Sequence, residues 1–131
     1  MRSGRLGEFD RLPHDRARGR AAEDAAEAYL REQGLRVVAR NVTTRAGELD
    51  LVALDGETLC FVEIKARSSA EFGRSIEAVG PRKQERIARA AALFLARNRS
   101  QRACRFDVLG LDRAADGTWT FTYLRDAFRL G

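Results

Sequence analysis

A chain of 131 residues, 44% of them hydrophobic, is long enough to bury one core and too short to divide comfortably into two domains. Its apolar runs cover only a few residues, whereas a membrane-spanning helix needs roughly 20. No apolar stretch follows the N-terminal arginines as a secretory signal would require, so we expect a cytoplasmic protein with no membrane partner.

The formal net charge of +5 is unevenly distributed along the chain. Residues 21–80 hold seven basic and eleven acidic residues, whereas residues 81–102 hold seven basic residues and one acid. An acidic middle beside a strongly basic segment is typical of a metal site next to a phosphate-binding surface. The charge pattern therefore favours an anionic partner such as nucleic acid.

The N-terminal segment differs from the rest of the chain. Residues 1–18 are rich in Arg and Gly, contain Pro13 and His14, and show no apolar period, which predicts a flexible basic arm ahead of a single domain over residues 19–131. From Gly19 onward, apolar residues recur at helical spacing until Gly34, which suits the end of a helix. The domain is thus expected to begin with a helix.

The remaining elements follow from turn residues and apolar spacing. Pro81 opens a second amphipathic helix, since its missing N–H costs nothing at that position. Five segments have the composition of strands: 35–42, 48–54, 58–65, 105–111 and 118–123. The predicted order is α-β-β-β-α-β-β, an α/β fold with helices flanking a central mixed sheet.

Acidic side chains interrupt the apolar faces of two of these strands. Alternate residues of a strand share a face, so Glu48 lies beside Asp50, and Glu63 beside Lys65 on the following strand. Two carboxylates and a lysine can polarise a phosphodiester, orient a water molecule and offset charge that develops on phosphoryl oxygens. The pattern therefore indicates phosphodiester cleavage.

The expected register of this hairpin brings the acids together. A tight turn at Asp55-Gly56 places Asp50 opposite Phe61 and Glu48 opposite Glu63. Three close carboxylates repel one another unless they are protonated or bridged by a cation. Oxygen ligands without clustered His or Cys favour Mg²⁺ or Mn²⁺ over zinc, so one of these is the expected cofactor.

A structural alternative exists for the same acids. They could be solvent-facing residues of an exposed hairpin, neutralised by Lys65 and Arg67. Against this, Phe61, Val62 and Ile64 make both faces of the third strand apolar, where unpaired charge is expensive. A functional site is the better interpretation.

At this point the residues resemble a known group of nucleases. Asp50 followed thirteen residues later by Glu63-Ile64-Lys65 resembles the PD-(D/E)xK nuclease motif. A narrower resemblance, over about residues 19–125, is to the YraN-like family. It rests on Asn41, Gly47-Glu48-Leu49-Asp50-Leu51-Val52, Phe61-Val62-Glu63-Ile64-Lys65-Ala66-Arg67, Phe72-Gly73, Ala78-Val79, Pro81-Arg82-Lys83-Gln84 and Arg105-Phe106-Asp107-Val108.

The resemblance implies a restriction-endonuclease-like core, similar to that of Holliday-junction resolvases. It implies that Asp50 and Glu63 are metal ligands, that Lys65 is the catalytic lysine and that Glu23 on the first helix is a further acidic member. Ala22 stands before Glu23 where the family pattern has glycine. Glu48 is expected either as a direct or water-mediated metal ligand or as part of the negative field.

The second helix is expected to bind phosphate, since its basic side chains and its N-terminus could both meet a nucleic-acid backbone. The predicted nucleic-acid-binding residues are Arg67, Arg82, Lys83, Gln84, Arg86 and Arg89. Asp107 is expected to pair with a neighbouring arginine, and the alternating Trp119, Phe121 and Tyr123 to contact the core or a second subunit.

The leading functional hypothesis is a divalent-metal-dependent endonuclease that hydrolyses phosphodiester bonds in DNA, including branched or structured DNA. One alternative is a non-catalytic nucleic-acid-binding module that keeps the nuclease fold. Another is a structural or adaptor protein that pairs through a sheet edge. A junction-cutting enzyme needs two sites, which a homodimer would supply by symmetry, and the sequence leaves the oligomeric state open.

Overall fold

Seven elements make up the computed structural model, which describes residues 17–68 and 79–129. Their bounds are α1 Ala17–Glu32, β1 Arg36–Thr44, β2 Gly47–Asp55, β3 Thr58–Ser68, α2 Pro81–Arg97, β4 Cys104–Arg113 and β5 Trp119–Phe128. Each strand extends one to five residues beyond at least one of its sequence-predicted ends, because hydrogen bonding to a neighbouring strand continues through polar residues that carry no apolar signal.

The five strands form one mixed sheet in the order β1-β2-β3-β4-β5. Neighbours are antiparallel except β3 and β4, which run parallel. Parallel neighbours need a crossover connection, and α2 lies in the segment that makes it. The predicted α/β class, with two helices and a central mixed sheet, is confirmed.

A separate hydrophobic core covers each face of the sheet. On one face, Ile87 and Phe94 of α2 pack over Val52 and Phe61. On the other, Ala26 and Leu30 of α1 pack over Leu51, Val62 and their neighbours. Both faces of the middle of β2 and β3 are therefore buried, which is why residues 51–54 and 59–62 are apolar without interruption.

The hairpin between β2 and β3 differs from the predicted register by two residues. Asp55 pairs with Thr58, and Leu51 pairs with Val62. The two turn residues are Gly56 and Glu57, and Gly56 has a φ of 62°, the conformation that glycine adopts readily. Glycine thus occupies the first central position of the turn, not the second as an Asp-Gly turn would have it.

The first helix starts slightly before the predicted boundary of the domain. Helix α1 begins at Ala17, inside the last two residues of the predicted arm, and residues 1–16 of that arm lie outside the described residues. Of the two cysteines, Cys60 is buried in β3, whereas Cys104 is exposed at the start of β4. In the described part of the chain, no helix is long and apolar enough to cross a bilayer.

Candidate active site

Asp50 and Glu63 lie side by side on adjacent strands. In the observed register each is the next residue beyond the Leu51–Val62 pair, so the two acids face each other across the hairpin. The Asp50 Oδ2 atom accepts a hydrogen bond of 2.8 Å from the backbone N–H of Ile64, and its carboxyl is hydrogen-bonded to Glu63. The register correction therefore brings these two acids closer than the sequence predicted.

The surroundings of the Asp50 carboxyl disfavour its negative charge. Burial, followed by the negative charge of Glu63, raises its pKa from 3.8 to about 7, although the Ile64 N–H and the Lys83 ammonium act in the opposite direction. A buried carboxyl beside a second negative charge favours either its protonated form or a nearby cation. Such a pair is a common signature of a site built for a positively charged ligand.

Two lysines lie at this acidic pair. Lys83, in the first turn of α2, places its Nζ atom 2.5 Å from Glu63 Oε2, and its side chain is 40% exposed against 9% for Glu63. Lys65 follows Glu63 on the same face of β3, and Arg67 follows Lys65 in the same alternation. The structure thus places Asp50, Glu63, Lys65 and Arg67 along one face, with α2 above them.

Glu48 is not level with Glu63, which corrects the predicted pairing of these two acids. The two-residue shift in register places Asp50, rather than Glu48, level with Glu63, and the Glu48 side chain is exposed. Among the residues that the structure describes, no group of three or more His, Cys, Asp or Glu side chains is arranged to hold a metal ion. The acidic centre defined here consists of two carboxylates.

Glu23 lies on α1 in a second polar cluster. Its Oε1 atom accepts hydrogen bonds from Asn41 Nδ2 at 3.1 Å and from Arg40 Nη2 at 3.3 Å. Arg40 also binds Asp24 at 2.9 Å and Glu27 at 3.0 Å. These contacts join Glu23 to β1.

Asn41 is the residue that relates this second cluster to the acidic pair. It is 6% exposed and has a φ of 51°, which asparagine tolerates better than most residues do. It lies between the Arg40–Leu51 and Val42–Leu49 pairs, and so comes level with Asp50 on the neighbouring strand. The sequence motif included Asn41, but it did not show that Asn41 binds Glu23 and lies level with Asp50.

The predicted nucleic-acid-binding residues of α2 fall into two groups. Arg82, Arg86 and Arg89 are exposed, as a phosphate-binding face requires. Lys83 is bound to Glu63, and the Gln84 side chain donates a 2.7 Å hydrogen bond to the Val79 carbonyl. Gln84 therefore anchors the entry to the helix, a role that its sequence position did not reveal.

The donor set of this centre fits a hard divalent cation. Magnesium is commonly held by one or two carboxylates, with water and substrate oxygens completing its shell, so two acids suffice. Because its pKa is raised to about 7, Asp50 is partly protonated near neutral pH. A bound cation would take the place of that proton. The neighbouring lysines suit a substrate that is itself anionic, such as a phosphodiester.

Comparisons with known proteins match this part of the chain. The model of the Uncharacterised protein family UPF0102 matches residues 22–111, which include Asp50, Glu63, Lys65 and all of α2. A UPF0102 protein of Bordetella avium is 48% identical over 113 residues, covering 86% of this chain and 74% of the relative. One of Symbiobacterium thermophilum is 45% identical over 111 residues, covering 84% and 94%. One of Pseudomonas aeruginosa is 45% identical over 104 residues, covering 78% and 82%.

Proposed function

The chain belongs to the UPF0102 family, as its YraN-like motifs predict, and on that premise we propose that it is a divalent-metal-dependent nuclease. Its substrate is DNA, including branched or otherwise structured DNA, and its reaction is hydrolysis of a phosphodiester bond. The observation that carries the proposal is the Asp50–Glu63 pair, level across the hairpin and flanked by Lys65 and Lys83. The restriction-endonuclease-like core belongs to the same proposal, since the observed sheet is compatible with it.

Each residue of the centre has a distinct part in this reaction. Asp50 and Glu63 hold Mg²⁺ or Mn²⁺, which supplies Lewis-acid activation of the phosphate and of a water molecule. Lys65 is positioned to offset the charge that develops on the phosphoryl oxygens. Lys83 neutralises Glu63 in the free protein, and its exposed ammonium can turn to a phosphate of the substrate.

The direct test is a cleavage panel of linear, nicked, flapped and four-way-junction DNA, with Mg²⁺ and with Mn²⁺. Lys65→Ala should fold and still bind metal, yet lose cleavage by about 100-fold or more, the usual effect of removing one transition-state charge partner. Asp50→Ala should lose both metal binding and cleavage. Arg36→Ala, an exposed change at the far end of β1, is the matched control and should keep full activity.

The outcomes separate the competing functions. Full activity in Lys65→Ala would contradict the catalytic assignment. Tight DNA binding by the wild type without cleavage of any substrate, with either metal, would favour a non-catalytic nucleic-acid-binding module. If the wild type neither binds nor cleaves any of these DNA substrates, the adaptor hypothesis becomes the better one.

A further inference from the structure

A groove runs between the β1–β2 turn and the exposed flank of α2. It consists of two adjoining depressions of about 650 and 540 Å³, and Arg45 and Leu93 line both of them. We call it the α2 groove. Three arginines, four apolar residues and two threonines line it: Arg45, Arg89, Arg97, Ala46, Ala92, Leu93, Ala96, Thr43 and Thr44.

The arginines of the α2 groove differ from six other arginines of the described chain. Six arginines elsewhere are ion-paired with carboxylates: Arg31, Arg40, Arg102, Arg105, Arg125 and Arg129. Within residues 20–67 and 79–129, no carboxylate pairs with Arg45, Arg89 or Arg97. Three unneutralised guanidinium groups around one groove call for an anionic ligand from outside the chain.

The shape and lining of the groove narrow the class of that ligand. A single-stranded nucleic acid is usually held by aromatic side chains on which its bases stack. Of the described residues that line the groove, none is aromatic. Three alanines and a half-buried leucine instead leave room for a backbone to approach, so the charged contacts available are to phosphates. Contact to phosphates without base contacts is the mode in which a protein grips a duplex irrespective of sequence.

Arg86 lies along α2 between the α2 groove and Lys83 of the candidate active site. The stem of Arg86 lies over Gly47 at the start of β2, where a Cβ atom would come 3.2 Å from Arg86 Cδ. Gly47 has a φ of 135°, and it stands three residues before Asp50. Arg86 thus lies between the acidic pair and the three groove arginines, and phosphate contacts can follow one another along α2 without a break.

The length of this basic track can be compared with DNA. Lys83 and Arg97 are fourteen residues apart on α2, which at 1.5 Å per residue is about 21 Å. Phosphates of one strand are spaced by about 3.4 Å along the duplex axis, so the track matches about six base pairs. We infer that the α2 groove binds the phosphate backbone of a duplex arm of the DNA substrate, to one side of the scissile bond.

This inference rests on the proposed function, so its test is made without catalysis. Binding of fluorescent duplexes of about 6 and about 20 base pairs is measured in EDTA over a range of salt concentrations. Arg45→Gln and Arg97→Gln should each weaken binding to the longer duplex and lower the slope of log affinity against log salt by about 0.9. Arg36 is exposed at the start of β1, at the end away from the β1–β2 turn. Arg36→Gln should therefore leave both the affinity and the salt slope unchanged.

The results distinguish this inference from the nuclease proposal. Wild-type slopes in both groove variants would overturn the groove assignment even if the wild type cuts DNA. Two other results would also overturn it: weaker binding of single-stranded DNA alone, or weaker binding of polyglutamate alone. Weaker duplex binding in both variants supports it, whether or not any metal gives cleavage.

Discussion

At the scale of single residues, Asp50 makes the metal-free fold sensitive to pH. Its pKa is about 7 in the folded chain, against 3.8 for the ordinary carboxyl, because burial and Glu63 disfavour its charge. Between these two values the folded chain keeps a proton that the unfolded chain has lost. Stability of the metal-free protein therefore falls as pH rises from about 4 to about 7, and then levels off.

Asp50→Asn should remove this loss, since the amide keeps the shape of the side chain without its charge. We expect the variant to melt at or slightly above the wild-type temperature near pH 4.5, and higher by roughly 5 °C at about pH 8, in EDTA. Thermal melts at several pH values check this. Parallel pH profiles for the two proteins would show that Asp50 is not the source of the dependence. Glu32→Gln, an exposed carboxylate at the end of α1, is the control.

How far these residues could be identified from the sequence depends on the distance that each interaction spans. Glu63 and Lys65 stand out locally because charge interrupts a strand that is apolar on both faces. The Lys83–Glu63 ion pair joins α2 to β3 over twenty residues, and no local pattern encodes such a contact. Gln84 could be assigned only to a basic helix start, since its bond to the Val79 carbonyl depends on how the chain enters α2.

At the scale of elements, the β2–β3 hairpin shows that turn chemistry limits prediction of a site. Apolar alternation fixes which face Asp50 occupies, but it permits registers that differ by two residues. The deciding factor was whether Gly56 took the first or the second central position of the turn. The first position moved Asp50 level with Glu63 and left Glu48 outside the pair.

The β4–β5 pair is held by a buried carboxylate. Asp107 is fully buried and accepts hydrogen bonds from Arg105 Nε at 3.0 Å, Tyr123 Oη at 2.5 Å and the Asp126 backbone N–H at 2.8 Å. It lies where the register of β4 and β5 shifts, and Asp126 has a φ of 55° there. The predicted pairing of Asp107 with a neighbouring arginine is confirmed, and its role is to attach the irregular end of β5.

Asp107→Ala should therefore destabilise the protein by about 3–5 kcal/mol. The Tyr123 hydroxyl and the Asp126 N–H lose their acceptor, and Arg105 keeps only Asp55, at 3.0 Å, as a carboxylate partner. Tyr123→Phe removes one hydrogen bond from the same carboxylate and should cost about 1 kcal/mol. Urea denaturation of both variants measures the difference. Equal losses would mean that the carboxylate contributes no more than its bond to Tyr123.

At the scale of the whole molecule, the sheet separates two electrostatic surroundings. Helix α1 brings Glu23, Asp24 and Glu27 to one face, where Arg40 neutralises part of their charge. Helix α2 covers the other face with exposed arginines, and the Asp50–Glu63 pair opens toward this side. The sequence predicted both helices and their charges. It predicted helices flanking the sheet but not the order of the strands between them, because strand order is a property of the complete sheet.

A cation that binds only the folded chain should stabilise the whole molecule. Its contribution is RT ln(1 + [L]/Kd), about 2.7 kcal/mol when the ligand is a hundredfold above its Kd. We expect millimolar Mn²⁺ to raise the melting temperature of the wild type by several degrees, and to raise that of Asp50→Asn much less, since the amide is a poorer ligand.

The control for this experiment must be a carboxylate with no structural role. Asp116 is unsuitable, because its Oδ1 atom accepts bonds from the Thr118 N–H at 3.0 Å and the Thr118 hydroxyl at 2.7 Å, and so supports the β4–β5 turn. Glu32→Gln removes one exposed charge at the end of α1 and should show the wild-type metal shift. Melts are compared with and without Mn²⁺ at fixed ionic strength, because salt by itself changes the interactions between surface charges.

An equal shift in all three proteins would mean that Mn²⁺ acts elsewhere than at Asp50. A shift in none would mean that the two carboxylates bind a cation only together with the phosphate of a substrate, and the same melts repeated with a DNA duplex would then have to restore it.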